Sequence, residues 1–240
     1  MNDLKVIYRF SDKGYPKNKI DKVNNENCFI NFAYNFLNCD GKGVTLLEDN
    51  CETTTVNSFN NILSDLDIVD DVNVIQTSEG NAGSYKFAVN YAIKNFTDDT
   101  IVYFVEGDFI HDINSKNILL QAFHMNEIDI DYATLYAHPD KELIDNICPE
   151  YIFRTDDCYW RTCVSTVMTH ATRVKTLKAD YDIIMKYCSG KHPNDHEMFS
   201  ELRRTKQRTL VSSIPGYSTH GETAWLSPHK DWETILRQSL

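Results

Sequence analysis

The sequence IVYFVEGD, at residues 101–108, decides the fold. Its first five residues have high strand propensity, and two carboxylates, Glu106 and Asp108, follow on either side of Gly107. Residues two apart in an extended segment point the same way, so both carboxylates can face one cation. Ligands of open α/β sheets bind beyond the carboxyl ends of the strands. The stretch therefore predicts a buried strand that ends at a metal–phosphate site, and the alternative is a solvated acidic turn.

Strand-like and helix-like segments alternate through the first half of the chain. The predicted strands lie at residues 5–10, 44–47, 72–77, 101–105 and 132–136, and helical spacing of apolar residues predicts helices at 28–37, 58–66, 84–95 and 115–124. Strands that alternate with helices at this spacing form parallel units with right-handed crossovers. We therefore expect an α/β fold with a mostly parallel central sheet flanked by helices.

The pattern is looser after about residue 140. The sequence predicts strands at 162–169 and 209–214, helices at 171–187 and 195–204, and an irregular tail at 215–232. No repeat, linker or low-complexity tract divides the chain, so one domain is the simplest arrangement.

The charge of the chain is strongly negative. It has 24 Lys and Arg residues against 35 Asp and Glu residues, which gives a formal net charge of −11. A general affinity for nucleic acid needs clustered positive charge, and the balance argues against it. The local basic group Arg203, Arg204, Lys206 and Arg208 is typical of the solvated face of a helix.

The seven cysteines indicate a reducing compartment. They are odd in number and include no C-x-x-C pair, which argues against a zinc knuckle or a thioredoxin-type site. The start of the chain lacks a signal-peptide pattern, and no apolar run approaches the roughly 18 residues of a membrane span. We expect a cytoplasmic protein.

Glycines and small polar residues follow the third predicted strand and open a helix. They are Gly80, Asn81, Gly83 and Ser84. Main-chain N–H groups at such a helix start can bind a phosphate. The segment is neither a Walker loop nor G-x-G-x-x-G, and an ordinary strand-to-helix turn explains it equally well.

Charged residues follow the first two predicted strands. Arg9 lies near the end of the first strand, and Asp12, Lys13, Lys17 and Lys19 come after it. Guanidinium and ammonium groups bind diphosphates, although a single loop lysine is more often an ordinary solvated residue. Asp49, after the second strand, is placed either to reach a ribose or base or to form a solvated turn.

Two later segments carry ionisable groups. Asp195 and Glu197 lie at a predicted helix start, where the macrodipole favours the ionised form and keeps the pKa low. Either carboxylate can act as a general base for a sugar hydroxyl, and helix capping is the structural alternative. His220, in the irregular tail, can complete a metal site begun by Glu106 and Asp108, although a lone histidine is usually structural.

Together these segments resemble the nucleotide-sugar-dependent glycosyltransferases of the GT-A fold, over nearly the whole chain. Glu106-Gly107-Asp108 is similar to the D-x-D motif that binds Mn²⁺ or Mg²⁺ on the donor diphosphate in that family, with Glu in place of the first Asp. The resemblance implies Asp108, Glu106 and His220 as metal ligands. It implies Asp195, or alternatively Glu197, as the base of an inverting transfer.

The resemblance also implies an overall organisation. It predicts a single Rossmann-like GT-A domain at residues 1–240, with a nucleotide-binding half at 1–137 and an acceptor-binding half at 138–240. The expected donor is a UDP- or GDP-sugar, contacted by Arg9, Asp12, Lys17, Asp49, Gly80, Asn81, Gly83, Ser84, Glu106 and Gly107. The expected acceptor is a glycan or another hydroxyl-bearing molecule, bound by loops that include residues 138–160.

Two other functions remain as alternatives. A sugar-phosphate nucleotidyltransferase shares the architecture, but it normally has a Gly-rich basic loop after the first strand, and residues 11–17 here contain one glycine. A non-catalytic carbohydrate- or nucleotide-binding module does not need a base. Carboxylates in three separate loops argue against such a module.

Overall fold

The computed structural model describes residues 3–14, 17–125, 128–143 and 151–240. Its strands are β1 (Leu4–Phe10), β2 (Val44–Asp49), β3 (Asn73–Thr77), β4 (Ile101–Glu106), β5 (Phe109–His111), β6 (Tyr132–Thr134), β7 (Ile152–Arg154), β8 (Tyr159–Thr162), β9 (His170–Arg173), β10 (Leu210–Ile214) and β11 (Ser218–His220). Over these residues, nine strands form one sheet in the order β3-β2-β1-β4-β9-β6-β10-β8-β7, and β5 pairs with β11.

Helices cover both faces of this sheet. They are α1 (Asn25–Phe32), continued by a π-helical segment (Ala33–Leu37), α2 (Thr53–Asp65), α3 (Gly80–Asn95), α4 (Ser115–Ala122), α5 (Val174–Tyr187), α6 (Asp195–Lys206) and α7 (Trp232–Gln238). Tyr8 and Tyr103 belong to the hydrophobic cluster on one face, whereas Ile7 and Phe104 belong to the cluster on the other. Because both faces are buried, β1 and β4 are apolar along most of their length.

Four neighbouring strands are parallel. β1 pairs in parallel with β2 and β4, and β2 pairs in parallel with β3. Their carboxyl ends, at Phe10, Asp49, Thr77 and Glu106, therefore lie at one edge of the sheet. The rest of the sheet is mixed, since β9 runs antiparallel between β4 and β6. The predicted single-domain α/β fold, with a large central sheet flanked by helices, is confirmed.

The strand predicted at residues 162–169 is wrong, and so is the helix start at 171. β8 ends at Thr162, and β9 takes the residues that were expected to begin the helix. In β9, His170 lies opposite Phe104 of β4, and Ala171 lies opposite Ala133 of β6. Residues 162–169 have strand propensity, but β4 and β6 form their backbone hydrogen bonds with residues 170–173 instead. Pairing between distant segments decides this region, and local propensity does not encode it.

The tail is more regular than predicted. β11 pairs with β5, so that His220 lies opposite Phe109. Because β5 follows Glu106-Gly107-Asp108 directly, this pairing brings the tail to the acidic segment. None of the described helices has the length and apolar character that crossing a membrane requires. Residues 144–150 of the predicted acceptor loops, including Cys148, lie outside the described residues, as do Tyr15 and Pro16.

Candidate active site

A cavity of about 680 Å³ lies at the carboxyl ends of β1, β2 and β4. Its lining includes Arg9, Lys17, Lys19, Asn81, Glu106 and Asp108. It therefore occupies the edge where open α/β sheets bind ligands. Eight of the ten residues that the sequence assigned to the donor line this cavity, and Asp12 and Ser84 do not.

Arg9 connects the acidic strand end to the start of α3. Its guanidinium donates hydrogen bonds of 3.0 Å to Asn81 Oδ1, Ser84 Oγ and Glu106 Oε1. Five fixed N–H donors allow a guanidinium to bridge several acceptors at once. Arg9 thus connects the end of β4 to the start of α3 beside the cavity, and its charge offsets that of Glu106.

Glu106 is held from both sides. Arg9 contacts one carboxylate oxygen, and the Thr169 hydroxyl lies 3.4 Å from the other. The Glu106 N–H group also donates to Thr169 Oγ1 at 3.1 Å. Burial raises the pKa of Glu106, and although Arg9 lowers it, Asp108 adds to the increase, so the net pKa is raised. Glu106 is therefore a fixed carboxyl group whose ionised form depends on Arg9.

Asp108 lies beside two lysines and a histidine. Its Oδ2 atom is 3.4 Å from Lys17 Nζ, 3.7 Å from Lys19 Nζ and 3.4 Å from His220 Nε2. Burial raises the pKa of Asp108. His220, Lys17 and Lys19 together lower it by more than this, so the net pKa is below the ordinary value. Burial lowers the pKa of His220, and although Asp108 raises it, the net pKa is below the ordinary value. His220 and the two ammonium groups together therefore favour the ionised form of Asp108.

The predicted metal ligands do not form a ready cation site. Among the described residues, no group of three or more His, Cys, Asp or Glu side chains is placed to hold a metal ion. Glu106 turns to Arg9, and the Lys17 ammonium lies 3.1 Å from His220 Nε2. A positive group among the carboxylate and imidazole donors does not fit a divalent metal at the same point. Metal binding here stays a prediction.

Gly107 is required where two strand ends pack closely. A Cβ atom at Gly107 would lie 2.6 Å from the Phe10 Cβ and 3.2 Å from the Arg9 carbonyl oxygen. The close approach that the glycine permits is therefore made by the backbone of β1.

The negatively charged group at the start of α3 is the carboxylate of Asp49. Asp49 Oδ1 accepts hydrogen bonds from the N–H groups of Glu79 and Gly80, at 2.7 and 3.3 Å. It also accepts one from the Thr77 hydroxyl at 2.9 Å. Gly80 has a φ of +73°, a conformation that favours glycine. Asp49 thus satisfies donors that a phosphate would otherwise use.

Asp12 orders the loop after β1. Its Oδ2 atom accepts a hydrogen bond from the Glu52 N–H group at 2.7 Å, and its Oδ1 atom accepts one from the Asn25 amide at 3.3 Å. Gly83 lines the large cavity, and a Cβ atom there would lie 2.9 Å from the Glu79 Cβ. Asp12 therefore fixes the loop, and the absence of a side chain at Gly83 leaves room for that of Glu79.

A second cavity, of about 320 Å³, adjoins the first and contains Asp195. Four residues line both cavities, namely Lys17, Asn81, Glu106 and His192. Asp195 is the first residue of α6. Glu197 is exposed and is not in the lining of either cavity. The structure therefore places Asp195, and not Glu197, in the second cavity.

The low pKa expected for Asp195 is wrong. Burial raises its pKa, and this outweighs the His196 N–H group, which donates to Asp195 Oδ1 at 2.7 Å and lowers the pKa. The helix start favours the ionised form, but desolvation has the larger effect here. A carboxylate with a raised pKa is a stronger base.

Aromatic side chains line the second cavity on the side of the tail. The Trp225 ring lies 5.1 Å from the His138 ring at an interplanar angle of 32°, and Trp225 is 44% exposed. Tyr136 donates its hydroxyl hydrogen to the Trp225 carbonyl oxygen at 2.6 Å, which fixes the segment. An exposed aromatic face close to a carboxylate suits a ligand with one apolar face and several hydroxyl groups.

Three contributors to the site were missed by sequence reasoning. Thr169 holds Glu106, Glu222 Oε2 lies 3.7 Å from Lys17 Nζ, and the His192 ring lies 3.3 Å from the Asn81 amide nitrogen. Glu222 had a weak signal, since it follows the predicted ligand His220 by two residues. Thr169 and His192 reach the site through long-range packing, for which the local sequence carries no signal.

No protein-family model and no curated protein matches the sequence. The fold is similar to that of GalNAc-T7 in a structure with UDP, GalNAc and Mn²⁺, with a TM-score of 0.56 and 7% identity. The alignment covers 94% of this chain and 45% of that one, so this chain spans less than half of GalNAc-T7. The likeness supports the GT-A-like α/β fold, and at this identity it shows the fold alone.

Other solved structures are similar at lower TM-scores. A cytidylyltransferase from Leptospira borgpetersenii serovar Hardjo-bovis (strain JB197) has a TM-score of 0.48 and 10% identity, over 88% of this chain and 75% of that one. TarS 1–349 from S. aureus has a TM-score of 0.45 and 16% identity, over 89% of this chain and 59% of that one. Scores this low support no argument about function.

Proposed function

We propose that this protein is a glycosyltransferase that moves a sugar from a UDP- or GDP-sugar to an acceptor hydroxyl, with Asp195 as the base. Residues 1–137 would supply most of the donor site, and residues 138–240 most of the acceptor site. The acceptor is then a glycan or another molecule with a free hydroxyl group.

One observation carries the proposal: two cavities of different character meet at Glu106 and Lys17. The larger one lies at the carboxyl ends of parallel strands, and its lining includes one arginine and four lysines as well as four carboxylates. The smaller one contains a carboxylate and exposed aromatic surface. A transferase for two substrates needs this arrangement, because the reacting atoms must meet between them. A binding module for one ligand does not.

The larger cavity suits a nucleoside diphosphate. Lys13, Lys17 and Lys19 all line it. Departure of a nucleoside diphosphate leaves negative charge on the leaving oxygen, and fixed positive groups stabilise that charge. With a volume of about 680 Å³, the cavity lies in the range typical of small-molecule sites.

The smaller cavity suits the acceptor. Asp195 would take the proton from the acceptor hydroxyl as its oxygen attacks the anomeric carbon, and its raised pKa makes it a better base. Attack from the face opposite the diphosphate inverts the configuration at that carbon. The apolar face of an acceptor sugar would lie against Trp225.

The proposal is tested by assaying the protein against a panel of UDP- and GDP-sugars with glycan acceptors, in Mn²⁺ and in EDTA. Release of UDP or GDP coupled to a glycosylated product supports it. Pyrophosphate formed from a nucleoside triphosphate and a sugar phosphate would instead identify a nucleotidyltransferase. Binding of a nucleotide or glycan without turnover of any donor would favour the binding module.

A further inference from the structure

The Lys17 ammonium lies beside two of the three side chains that the sequence assigned to a metal, namely Asp108 and His220. Its Nζ atom lies 3.1 Å from His220 Nε2, 3.4 Å from Asp108 Oδ2 and 3.7 Å from Glu222 Oε2. We propose that Lys17 is the resident cation of this site, so that the donor diphosphate is bound without a divalent metal. The inference rests on the proposed function, because it concerns how the same sugar nucleotide is held.

The side chains around Lys17 are largely buried and are held in place by the fold. The side chains of Lys17, Asp108, Glu222 and His220 are 17%, 18%, 19% and 12% exposed. They come from three separated parts of the chain, and β5–β11 pairing holds two of these parts together. The Gly221 N–H group donates to the Asp108 carbonyl oxygen at 2.8 Å, which fixes the tail against the acidic segment.

Both ring nitrogens of His220 already lie next to protein groups that a metal would have to displace. A neutral imidazole carries one N–H group and one lone pair. With the proton on Nδ1, the Nε2 lone pair accepts from Lys17 at 3.1 Å. With the proton on Nε2, that N–H group lies 3.4 Å from Asp108 Oδ2, and Nδ1 accepts from the Glu222 N–H group at 3.2 Å. In either tautomer, Nε2 already has a protein partner.

The carboxylates of the site already have cationic partners. Arg9 pairs with Glu106 at 3.0 Å, and Lys17 lies near both Asp108 and Glu222. Lys19 adds a second ammonium 3.7 Å from Asp108. A divalent ion placed among these groups would be repelled by two ammonium charges at short range. A diphosphate, in contrast, would be attracted by the same two charges.

Lys17 lines both cavities and so stands where the donor's diphosphate meets the acceptor side. In the transfer, the bond between the anomeric carbon and the diphosphate oxygen breaks, and that oxygen keeps the electron pair. The acceptor oxygen forms the new bond, and its proton passes to Asp195. Lys17 would stabilise the charge on the leaving oxygen and keeps its own proton throughout.

Isothermal titration of UDP and of GDP tests the inference, with each titration made in EDTA and in Mn²⁺. The variants are Lys17→Met, which removes the charge, and Lys17→Arg, which keeps it. Lys42→Met is the control, because Lys42 is exposed and lies before β2, at the opposite edge of the sheet.

We expect the unaltered protein to bind one of the nucleotides with the same affinity in EDTA and in Mn²⁺. Lys17→Met should weaken that binding about tenfold or more, the effect of losing one charge-assisted hydrogen bond. Lys17→Arg should retain most of the affinity, and Lys42→Met all of it.

Other outcomes overturn the inference. Binding that EDTA abolishes and Mn²⁺ restores would refute it and leave the proposed function intact, as would a Lys17→Met protein with unchanged affinity. If Lys17→Met does not fold, the EDTA comparison in the unaltered protein decides. If neither nucleotide binds in either condition, the inference and the proposed function both fail.

Discussion

The guanidinium of Arg9 lies 3.0 Å from the carboxylate of Glu106, and the two residues are direct partners in the register of β1 and β4. Their side chains are only 16% and 19% exposed. The pair therefore joins the ends of two central strands under the large cavity. Glu106, the residue at which this sequence departs from D-x-D, therefore already has a cationic partner in Arg9.

Replacement of Arg9 should destabilise the fold. In Arg9→Met, Glu106 keeps its buried position and loses its cationic partner, so we expect the free energy of unfolding to fall by about 3 kcal/mol. Urea denaturation measures the change. Glu106→Gln should cost less, because its amide oxygen still accepts from Arg9, and the double variant should recover part of the loss. A loss in Arg9→Met as small as that of an exposed lysine variant would show that the pair contributes little.

The choice between two candidate bases can be tested with matched variants. Asp195→Asn should lower the rate of sugar transfer by a factor of about 10² to 10⁴, because no group then accepts the hydroxyl proton. Glu197→Gln makes the same chemical change two residues away, outside both cavities, and should retain activity. Nucleotide affinity should be unchanged in both. An Asp195→Asn protein with full transfer activity would refute the role of this residue.

The sequence predicted the fold better than the site. The placement of Arg9, Asp49 and Glu106 close to strand ends was predictable, because propensity and alternation place buried strands, and parallel strands share one edge. The role of Asp49 was not predictable, since a carboxylate after a strand can face a ribose or cap the next helix. The folded structure shows that the Asp49 carboxylate accepts hydrogen bonds from the N–H groups of Glu79 and Gly80.

The pKa of Asp195 shows the same limit. Its position at a helix start is visible in the sequence, and it predicts an ionised carboxylate of low pKa. The burial that raises this pKa comes from the packing of α6 against distant segments. Similarly, nothing local indicates that Thr169 would meet Glu106, because that contact depends on β9 entering the sheet beside β4.

The raised pKa of Asp195 also predicts an effect on stability. A folded-state pKa above the unfolded value means that ionisation of Asp195 opposes folding at pH values above the ordinary carboxyl pKa. Asp195→Asn should therefore raise the melting temperature at neutral pH. The difference should vanish as the pH falls below the ordinary carboxyl pKa, where Asp195 is protonated in both states. Melting temperatures of both proteins across this range measure it, and a variant less stable at neutral pH would contradict the prediction.

Trp225 should affect the acceptor and not the donor. In Trp225→Ala the exposed aromatic surface of the smaller cavity is lost, and we expect the KM for a glycan acceptor to rise about tenfold, the effect of one stacking contact. The KM for the sugar nucleotide should stay the same. Tyr159→Ala is a suitable control, since Tyr159 is 52% exposed and is not in the lining of either cavity. Equal effects of both substitutions would argue against an acceptor surface at Trp225.

Arg208 should be structural, although the sequence grouped it with a solvated basic face. Its guanidinium donates to Asp180 Oδ2 at 2.9 Å and to Asp131 Oδ1 at 2.8 Å, and the Asp180 side chain is fully buried. Arg208→Met leaves Asp180 with the Tyr132 hydroxyl at 2.8 Å but without a cation. We expect a loss of about 3–5 kcal/mol in the free energy of unfolding.

Arg203→Met supplies the comparison for Arg208→Met, because Arg203 is exposed on α6 and should change stability by less than about 0.5 kcal/mol. Denaturation of both variants in urea separates the two roles. Similar small losses would mean that Asp180 is adequately held by Tyr132 and that Arg208 belongs to the solvated face after all. A large loss restricted to Arg208→Met places the ion pair among the contacts that hold α5 to the start of β10, remote from the cavities.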